Sequence, residues 1–352
     1  MKLSLARSRG QIVADYLGGS WRERQPPLAI SPSDLELITT LLYDSGAAGL
    51  AWWRIRESEL KTTAHGELLH QGYRLQALQS AINEERIMTA FRLLRDVGIE
   101  PILIKGWSVA RLYPHPTLRA YGDVDLLVKP ADYLAAREVL NGDEPGAWWV
   151  DLHRSLFELR DQSIDELFER SLIVDLQESK VRVLCAEDNL ALLAIHLFKH
   201  GAWRPSWLCD IGALIESLPA EFDWNLSFGS NKRRAAWIST AVLLAHELLG
   251  ANIDKVPVEV RNKQVPAWLT DAVLKQWSTL WHRDHLPIQP RPLMANSLRS
   301  AKTFLREVRE RWPDPIVATF NLEGRVNNFP RLPYQLVAFF SQATRFVFSN
   351  FY

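Results

Sequence analysis

One segment of the chain combines a turn, two acids and a buried strand. It reads Arg119-Ala120-Tyr121-Gly122-Asp123-Val124-Asp125-Leu126-Leu127-Val128. Gly122 favours a turn, and the apolar run predicts a strand that begins at Asp123 and has two different faces. Because residues two apart in a strand point to the same face, Asp123 and Asp125 are expected side by side. Carboxylates at the mouth of a buried strand are costly unless they are paired or bound to metal. The segment therefore predicts a metal site at Asp123 and Asp125, against the alternative of a solvated strand edge.

The stretch upstream predicts a second strand followed directly by a helix. It reads Ile102-Leu103-Ile104-Lys105-Gly106. A glycine there lets backbone N–H groups approach a phosphate, and the helix N-terminus adds positive partial charge. Lys105 and Arg119 would counter the remaining phosphate charge. Two Mg²⁺ ions about 4 Å apart would then activate an attacking hydroxyl and stabilise a leaving pyrophosphate.

These motifs resemble the DNA polymerase β-like nucleotidyltransferase superfamily, and more closely its bacterial group of uncharacterised nucleotidyltransferase family proteins. The resemblance covers roughly residues 65–220. It is carried by Ile104-Lys105-Gly106, the segment 119–128, Val150-Asp151-Leu152-His153, Leu192 to Gly201, and Trp207-Leu208-Cys209-Asp210-Ile211. It implies transfer of a nucleoside monophosphate (NMP) from a nucleoside triphosphate (NTP), such as ATP, to a hydroxyl, with two Mg²⁺ ions bound by carboxylates. The acceptor, whether small molecule, peptide, protein or RNA, is left open.

The resemblance also implies a third carboxylate on a neighbouring strand. Asp151 is the preferred candidate because it alternates with His153 on one face, and Asp175 is the competitor. The phosphate-binding residues implied are Lys105, Gly106, Ser108 and Arg119. Trp107 separates Gly106 from Ser108, where the superfamily commonly has Gly-Ser, so Ser108 is a candidate only.

Three histidines are candidates for the substrate cleft. His153 would orient a carboxylate or contact substrate, although a lone strand histidine is more often structural. His196 and His200 lie one helical turn apart, which is a spacing that can bind zinc. No glutamate stands at the adjacent position, so lining the cleft opposite the carboxylates, or packing against Trp203 and Trp207, is the favoured interpretation.

Composition excludes several classes of protein. Lysine plus arginine equal aspartate plus glutamate at 41 each, which argues against a dedicated DNA-binding protein. Two isolated cysteines, Cys185 and Cys209, fit a reducing cytoplasm.

The first residues carry charge without a following apolar run, so no signal peptide is expected. No transmembrane segment is expected either. The aromatic tail 332–352 is interpreted as a last helix on the core, with contact to a partner or membrane surface as the alternative.

The periodicity divides the chain into three parts and predicts an α+β protein. Residues 1–95 read as an N-terminal helical region, 96–186 as a nucleotidyltransferase core with a small mixed β-sheet, and 187–352 as an all-helical C-terminal domain. The preferred function is magnesium-dependent nucleotidyl transfer. The alternatives are a catalytically weak nucleotide-binding protein, a helical interaction protein, and a metal hydrolase that uses His196 and His200.

Overall fold

The computed structural model describes residues 8–141, 150–280 and 312–349. Over these residues the protein is α+β, with one five-stranded mixed sheet between helical regions, as the sequence predicts. The sequence also predicts a helix over 297–311 and a Pro-rich loop over 286–293, and both ranges lie outside the described residues. The three-part division of the chain stays a prediction.

Four helices precede the sheet, and their ends follow the capping residues of the sequence. They are α1 (Arg9–Leu17), α2 (Pro32–Asp44), α3 (Ala48–Ile55) and α4 (Ala64–Asp96), with a short 3₁₀ helix at Glu59–Thr62. The Ser31 side chain accepts a hydrogen bond from the Asp34 backbone N–H at 3.1 Å. Thr63 caps α4 in the same way, and Gly98, with a φ of 81°, follows its end. The sequence Ser31-Pro32-Ser33-Asp34 and the apolar pattern from about 63 to 97 predict these two helices, and both starts are present.

The sheet is built from five short strands. They are β1 (Ile102–Ile104), β2 (Val124–Leu127), β3 (Val150–His153), β4 (Leu172–Leu176) and β5 (Ser179–Val183). Helices α5 (Gly106–Ala110), α6 (Tyr133–Asn141) and α7 (Ile164–Glu169) connect them, together with 3₁₀ helices at Pro116–Leu118 and Phe157–Leu159. The spatial order is β3-β2-β1-β5-β4. The sequence pattern does not predict β5, because only two of its five residues, Val181 and Val183, are apolar.

The register of the strands brings two acids together. β1 runs antiparallel to β2 and sets Ile104 opposite Asp125. β2 runs parallel to β3 and sets Asp125 opposite Asp151. A parallel pair needs a crossover connection, and α6 lies in it. Asp123 lies just before β2, whereas the sequence predicts that the strand begins at this residue.

β2 is buried on both faces, in contrast to the predicted strand with two different faces. Val124 and Leu126 belong to a cluster with residues of α4 and α6. Leu127 belongs to the larger cluster formed with the helices on the other side of the sheet. A central strand between two paired neighbours is covered on both sides, which explains the difference. Since side chains alternate, Asp125 points to the side of Leu127.

The helices after the sheet complete the larger cluster. They are α8 (Ala186–Lys199), α9 (Pro205–Glu216), α10 (Trp224–Phe228), α11 (Lys232–Leu249), α12 (Val258–Arg261), α13 (Ala267–Trp277), α14 (Pro315–Asn321) and α15 (Leu332–Ser349). α1 packs against α9, α11 and α13, so the N-terminal and C-terminal helices share one core.

The last helix begins packed and is partly exposed. α15 packs against α14, and Trp312 lies 5.6 Å from Phe339 between ring centroids. Leu332, Val337 and Phe340 are nevertheless more than half exposed. None of the helices in the described part of the chain has the length and apolar content needed to cross a bilayer.

Replacing Leu126 with alanine tests whether the sheet depends on its buried face. Leu126 is fully buried beneath α4 and α6. We expect Leu126→Ala to lower the free energy of unfolding by about 2–5 kcal/mol, measured by urea denaturation, because it leaves a cavity. Leu134→Ala on the exposed face of α6 is the matched control and should change it little, since Leu134 is 69% exposed. A loss of under about 1 kcal/mol at Leu126 would contradict the packing described.

Candidate active site

Two carboxylates and one imidazole meet where β2 and β3 pair. Asp125 and Asp151 are partners across the parallel strands, and His153 lies two residues further along β3. His153 Nε2 lies 2.9 Å from Asp125 Oδ1 and 3.4 Å from Asp151 Oδ2. One ligand atom from each residue lies within 4.8 Å of the other two, which is compact enough to hold a metal ion. Across ranges 8–141, 150–280 and 312–349, no other trio of His, Cys, Asp or Glu meets this spacing.

Asp125 is a buried carboxylate that contacts an ammonium and an imidazole. Its side chain is about 6% exposed, and Lys105 Nζ donates to its Oδ1 at 3.3 Å. Burial raises the pKa of Asp125, but the hydrogen bond with His153 and the charge of Lys105 outweigh burial and hold the pKa below its usual value. Asp125 is therefore ionised at neutral pH. The Asp151 side chain is 62% exposed, so the pair joins one buried and one solvent-facing carboxylate.

The turn from β1 into α5 has strained backbone geometry. Lys105 has φ 52° and ψ −147°, near a region almost confined to glycine, and Gly106 has φ 42°. The Lys105 carbonyl accepts from the Ser108 backbone N–H at 2.8 Å and from Ser108 Oγ at 2.6 Å. Such strain persists only when surrounding contacts hold it, and it clusters at functional sites. Here it accompanies an ammonium directed at Asp125.

Asp123 is the acid of the motif that lies outside the paired strands. It is exposed and precedes β2, and its backbone carbonyl lies close to Gly106. It does not belong to the group formed by Asp125, Asp151 and His153. Its predicted role as a metal ligand stays a prediction.

The competing third carboxylate, Asp175, lies at the far edge of the sheet. β4 is separated from β2 by β5 and β1. Asp175 is exposed there and pairs with Lys180 at 2.8 Å. It is therefore three strands away from Asp125, whereas Asp151 is on the adjacent strand.

Arg119 is engaged in a buried ion pair with α9. Arg119 Nη2 donates to Asp210 Oδ2 at 2.9 Å, and Nε lies 3.2 Å from both carboxylate oxygens. The Tyr113 hydroxyl donates to Asp210 Oδ1 at 2.7 Å. Asp210 is fully buried and Arg119 is 8% exposed. Burial lowers the pKa of Arg119, but Asp210 more than offsets this. The predicted phosphate contact of Arg119, which stays a prediction, would require this pair to open.

His196 and His200 pack as an aromatic cluster with Trp207. The two imidazole centroids lie 4.5 Å apart, and Trp207 lies 4.8 Å from His196 and 5.7 Å from His200. Glu158 Oε1 accepts from Lys199 Nζ at 2.9 Å and lies 3.7 Å from His196 Nδ1. Burial lowers the pKa of His196 and lowers that of His200 to about 4. Both rings are therefore neutral at pH 7.

The zinc alternative for these histidines lacks a third ligand in the described part of the chain. The charge of Lys105 contributes to the lowered pKa of both His196 and His200, after burial. Glu158 and Arg204 also lie beside this aromatic cluster, the first near His196 and the second over Trp207. Neither residue stands in a recognisable motif, and only the fold brings them near.

Comparison with known proteins gives a family match that covers the carboxylate site. A family model described as uncharacterised nucleotidyltransferase matches residues 31–250, which is more than half of the chain. The match includes the whole sheet, α8 and α9. No curated protein and no solved structure gave a significant match.

The ion pair of Arg119 with Asp210 should be essential for stability. Asp210→Asn leaves Arg119 buried without its counter-charge, so we expect the free energy of unfolding to fall by about 3–5 kcal/mol. Asp165→Asn is the matched control, because Asp165 pairs with Lys129 at 2.7 Å on an exposed surface and should cost about 0–1 kcal/mol. Equal effects of the two substitutions in urea denaturation would show that Asp210 does not anchor α9.

Proposed function

Because the chain belongs to the family of uncharacterised nucleotidyltransferases, we propose that it transfers a nucleoside monophosphate from a nucleoside triphosphate to a hydroxyl acceptor. The observation that carries this proposal is the adjacency of Asp125 and Asp151 across the parallel strands β2 and β3. Two acids facing each other at this position are a typical arrangement for binding the divalent cation that accompanies a triphosphate.

The donor set fits a divalent cation. Asp125 and Asp151 offer carboxylate oxygens, which Mg²⁺ prefers, and His153 offers an imidazole nitrogen beside them. In the structure, the ammonium of Lys105 and the ring of His153 both contact Asp125 Oδ1. We also propose Asp123 as an additional ligand, because it is exposed and lies two residues before Asp125. One or two Mg²⁺ ions bound here would neutralise phosphate charge and favour ionisation of the attacking hydroxyl.

The reaction proposed is an in-line displacement. The acceptor oxygen forms a bond to the α-phosphorus, while the bond from that phosphorus to the bridging oxygen breaks. Pyrophosphate leaves with the electron pair, and the hydroxyl proton passes to a carboxylate. Asp151 suits this last role because it is solvent-facing and next to Asp125. Lys105, at the strained turn, would contact the phosphates together with the backbone of Gly106, with Ser108 and Arg119 as further candidates. Most of the catalysis comes from positioning and charge stabilisation.

A second candidate is a protein that binds nucleotide without transferring it. One observation favours it, because Lys105 and His153 compete with a cation for the same oxygen of Asp125. Titration of the protein with ATP and Mg²⁺, beside a turnover assay, separates the two functions. Binding without any transferred label would establish the second.

The two cysteines are free and buried, in keeping with the cytoplasmic location that we propose.

Removing either carboxylate of the pair should abolish transfer. We expect Asp125→Asn and Asp151→Asn each to lower magnesium-dependent incorporation of label by on the order of a hundredfold or more. The assay supplies α-³²P-labelled ATP, GTP, CTP or UTP with cell lysate as the source of acceptor. Asp175→Asn is the matched control at the other edge of the sheet and should retain full activity. Wild-type incorporation by Asp125→Asn would remove the proposed mechanism.

A further inference from the structure

Arg204 immediately precedes α9 and is held by two tryptophans. Its guanidinium carbon lies 4.6 Å from the ring centroid of Trp203 and 5.6 Å from that of Trp207. Stacking on aromatic faces fixes the plane of a guanidinium while leaving its edge donors free for an anion. Trp207 also contacts His196 and His200. Arg204 therefore belongs to the aromatic cluster of His196, His200 and Trp207.

The hydrogen-bonding capacity of Arg204 is incompletely used. Its Nε is buried and has no partner among the residues that the structure describes. A buried guanidinium donor left without an acceptor is costly. Arg22 makes a useful comparison, because it also lies over a tryptophan, at 5.4 Å from Trp21, yet donates to Glu216 and to the Gly250 carbonyl. An anionic ligand would satisfy this donor.

The position of α9 puts this cation beside the carboxylate site. Asp210, six residues after Arg204 on α9, holds Arg119, which lies four residues before Asp123. α9 also packs against α5, the helix that follows the Lys105–Gly106 turn. Burial lowers the pKa of Arg204, and Arg119 lowers it further, while the nearby carboxylates of Asp123 and Asp210 raise it. Arg204 thus lies at the start of a helix that contacts both α5 and, through Arg119, the segment that leads into β2.

We propose that Arg204 binds the triphosphate of the nucleotide, as a second cation opposite Lys105. This inference rests on the proposed function, because it assigns a residue of α9 to the substrate of the carboxylate site. A phosphate oxygen would satisfy the buried Nε–H, and a guanidinium suits two oxygens of one phosphate. Arg204 supplies the anion contact that Arg119 cannot supply while it is bound to Asp210. The helices after the sheet would then close one side of the nucleotide site.

Inorganic tripolyphosphate without metal is the probe that tests this contact. We expect it to bind the wild-type protein in a calorimetric titration and to raise the melting temperature. Arg204→Gln should weaken this binding by about tenfold or more, which is the scale of one charge-assisted hydrogen bond. Arg204→Lys should keep part of the affinity, because it preserves the charge but not the geometry. AMP binding should change far less than ATP binding, since AMP lacks the β- and γ-phosphates.

Arg22→Gln is the matched control, at the opposite end of α9. Its partner Glu216 is the last residue of that helix, about 17 Å from the first. Tripolyphosphate affinity should be unchanged in this variant. If Arg204→Gln fails to fold, Arg204→Lys and the comparison of AMP with ATP still decide the question.

The proposal would be overturned if tripolyphosphate does not bind the wild type, if Arg204→Gln binds it within twofold of wild type, or if AMP affinity falls as much as ATP affinity. These outcomes are separable from failure of the proposed function. Loss of tripolyphosphate binding in Arg204→Gln, in a protein that transfers no label, would preserve the anion site and reject the transferase. Magnesium-dependent transfer with unaltered kinetics in Arg204→Gln would reject the anion site and preserve the transferase.

Discussion

Asp125 is a charged side chain in β2, an interior strand that is covered on both faces, and a carboxylate there has to be compensated. Lys105 and His153 provide that compensation from the two flanking strands, one at the end of β1 and one on β3. The parallel register of β2 with β3 adds Asp151 to the same place. The strained turn at Lys105, the position of the histidine and the metal-binding capacity all follow from accommodating this one buried acid.

The helices after the sheet take part in the site through a second buried charge. Asp210 receives hydrogen bonds from Tyr113 and Arg119, both of which belong to the segment between β1 and β2. That contact fixes α9 against the segment that leads into β2, and α9 carries Trp207 of the aromatic cluster and is preceded by Arg204. Two buried acids on different elements thus perform different tasks. Asp125 is proposed to bind the cation, and Asp210 holds the surrounding helices in place.

The sequence predicts those features that depend on neighbouring residues along the chain. The α+β class, the capped starts of α2 and α4, and the strands β1 to β4 follow from local apolar patterns and turn residues. It does not predict β5, which is polar and is held as a strand by pairing with β1 and β4. The burial of Arg119 against Asp210 was equally inaccessible, because the two residues are 91 positions apart. The sequence predicts Asp123 beside Asp125 and prefers Asp151 to Asp175 as the third carboxylate, and the pairing of β2 with β3 sets Asp151 opposite Asp125.

The measurement that tests the central claim most directly is the location of a bound cation. Crystals grown with Mn²⁺ and a non-hydrolysable nucleoside triphosphate analogue would give an anomalous scattering peak at each metal. We predict a peak within coordination distance of both Asp125 and Asp151, with the triphosphate bound to the same ion. A peak elsewhere, or nucleotide bound while Lys105 and His153 keep Asp125 free of metal, would contradict it.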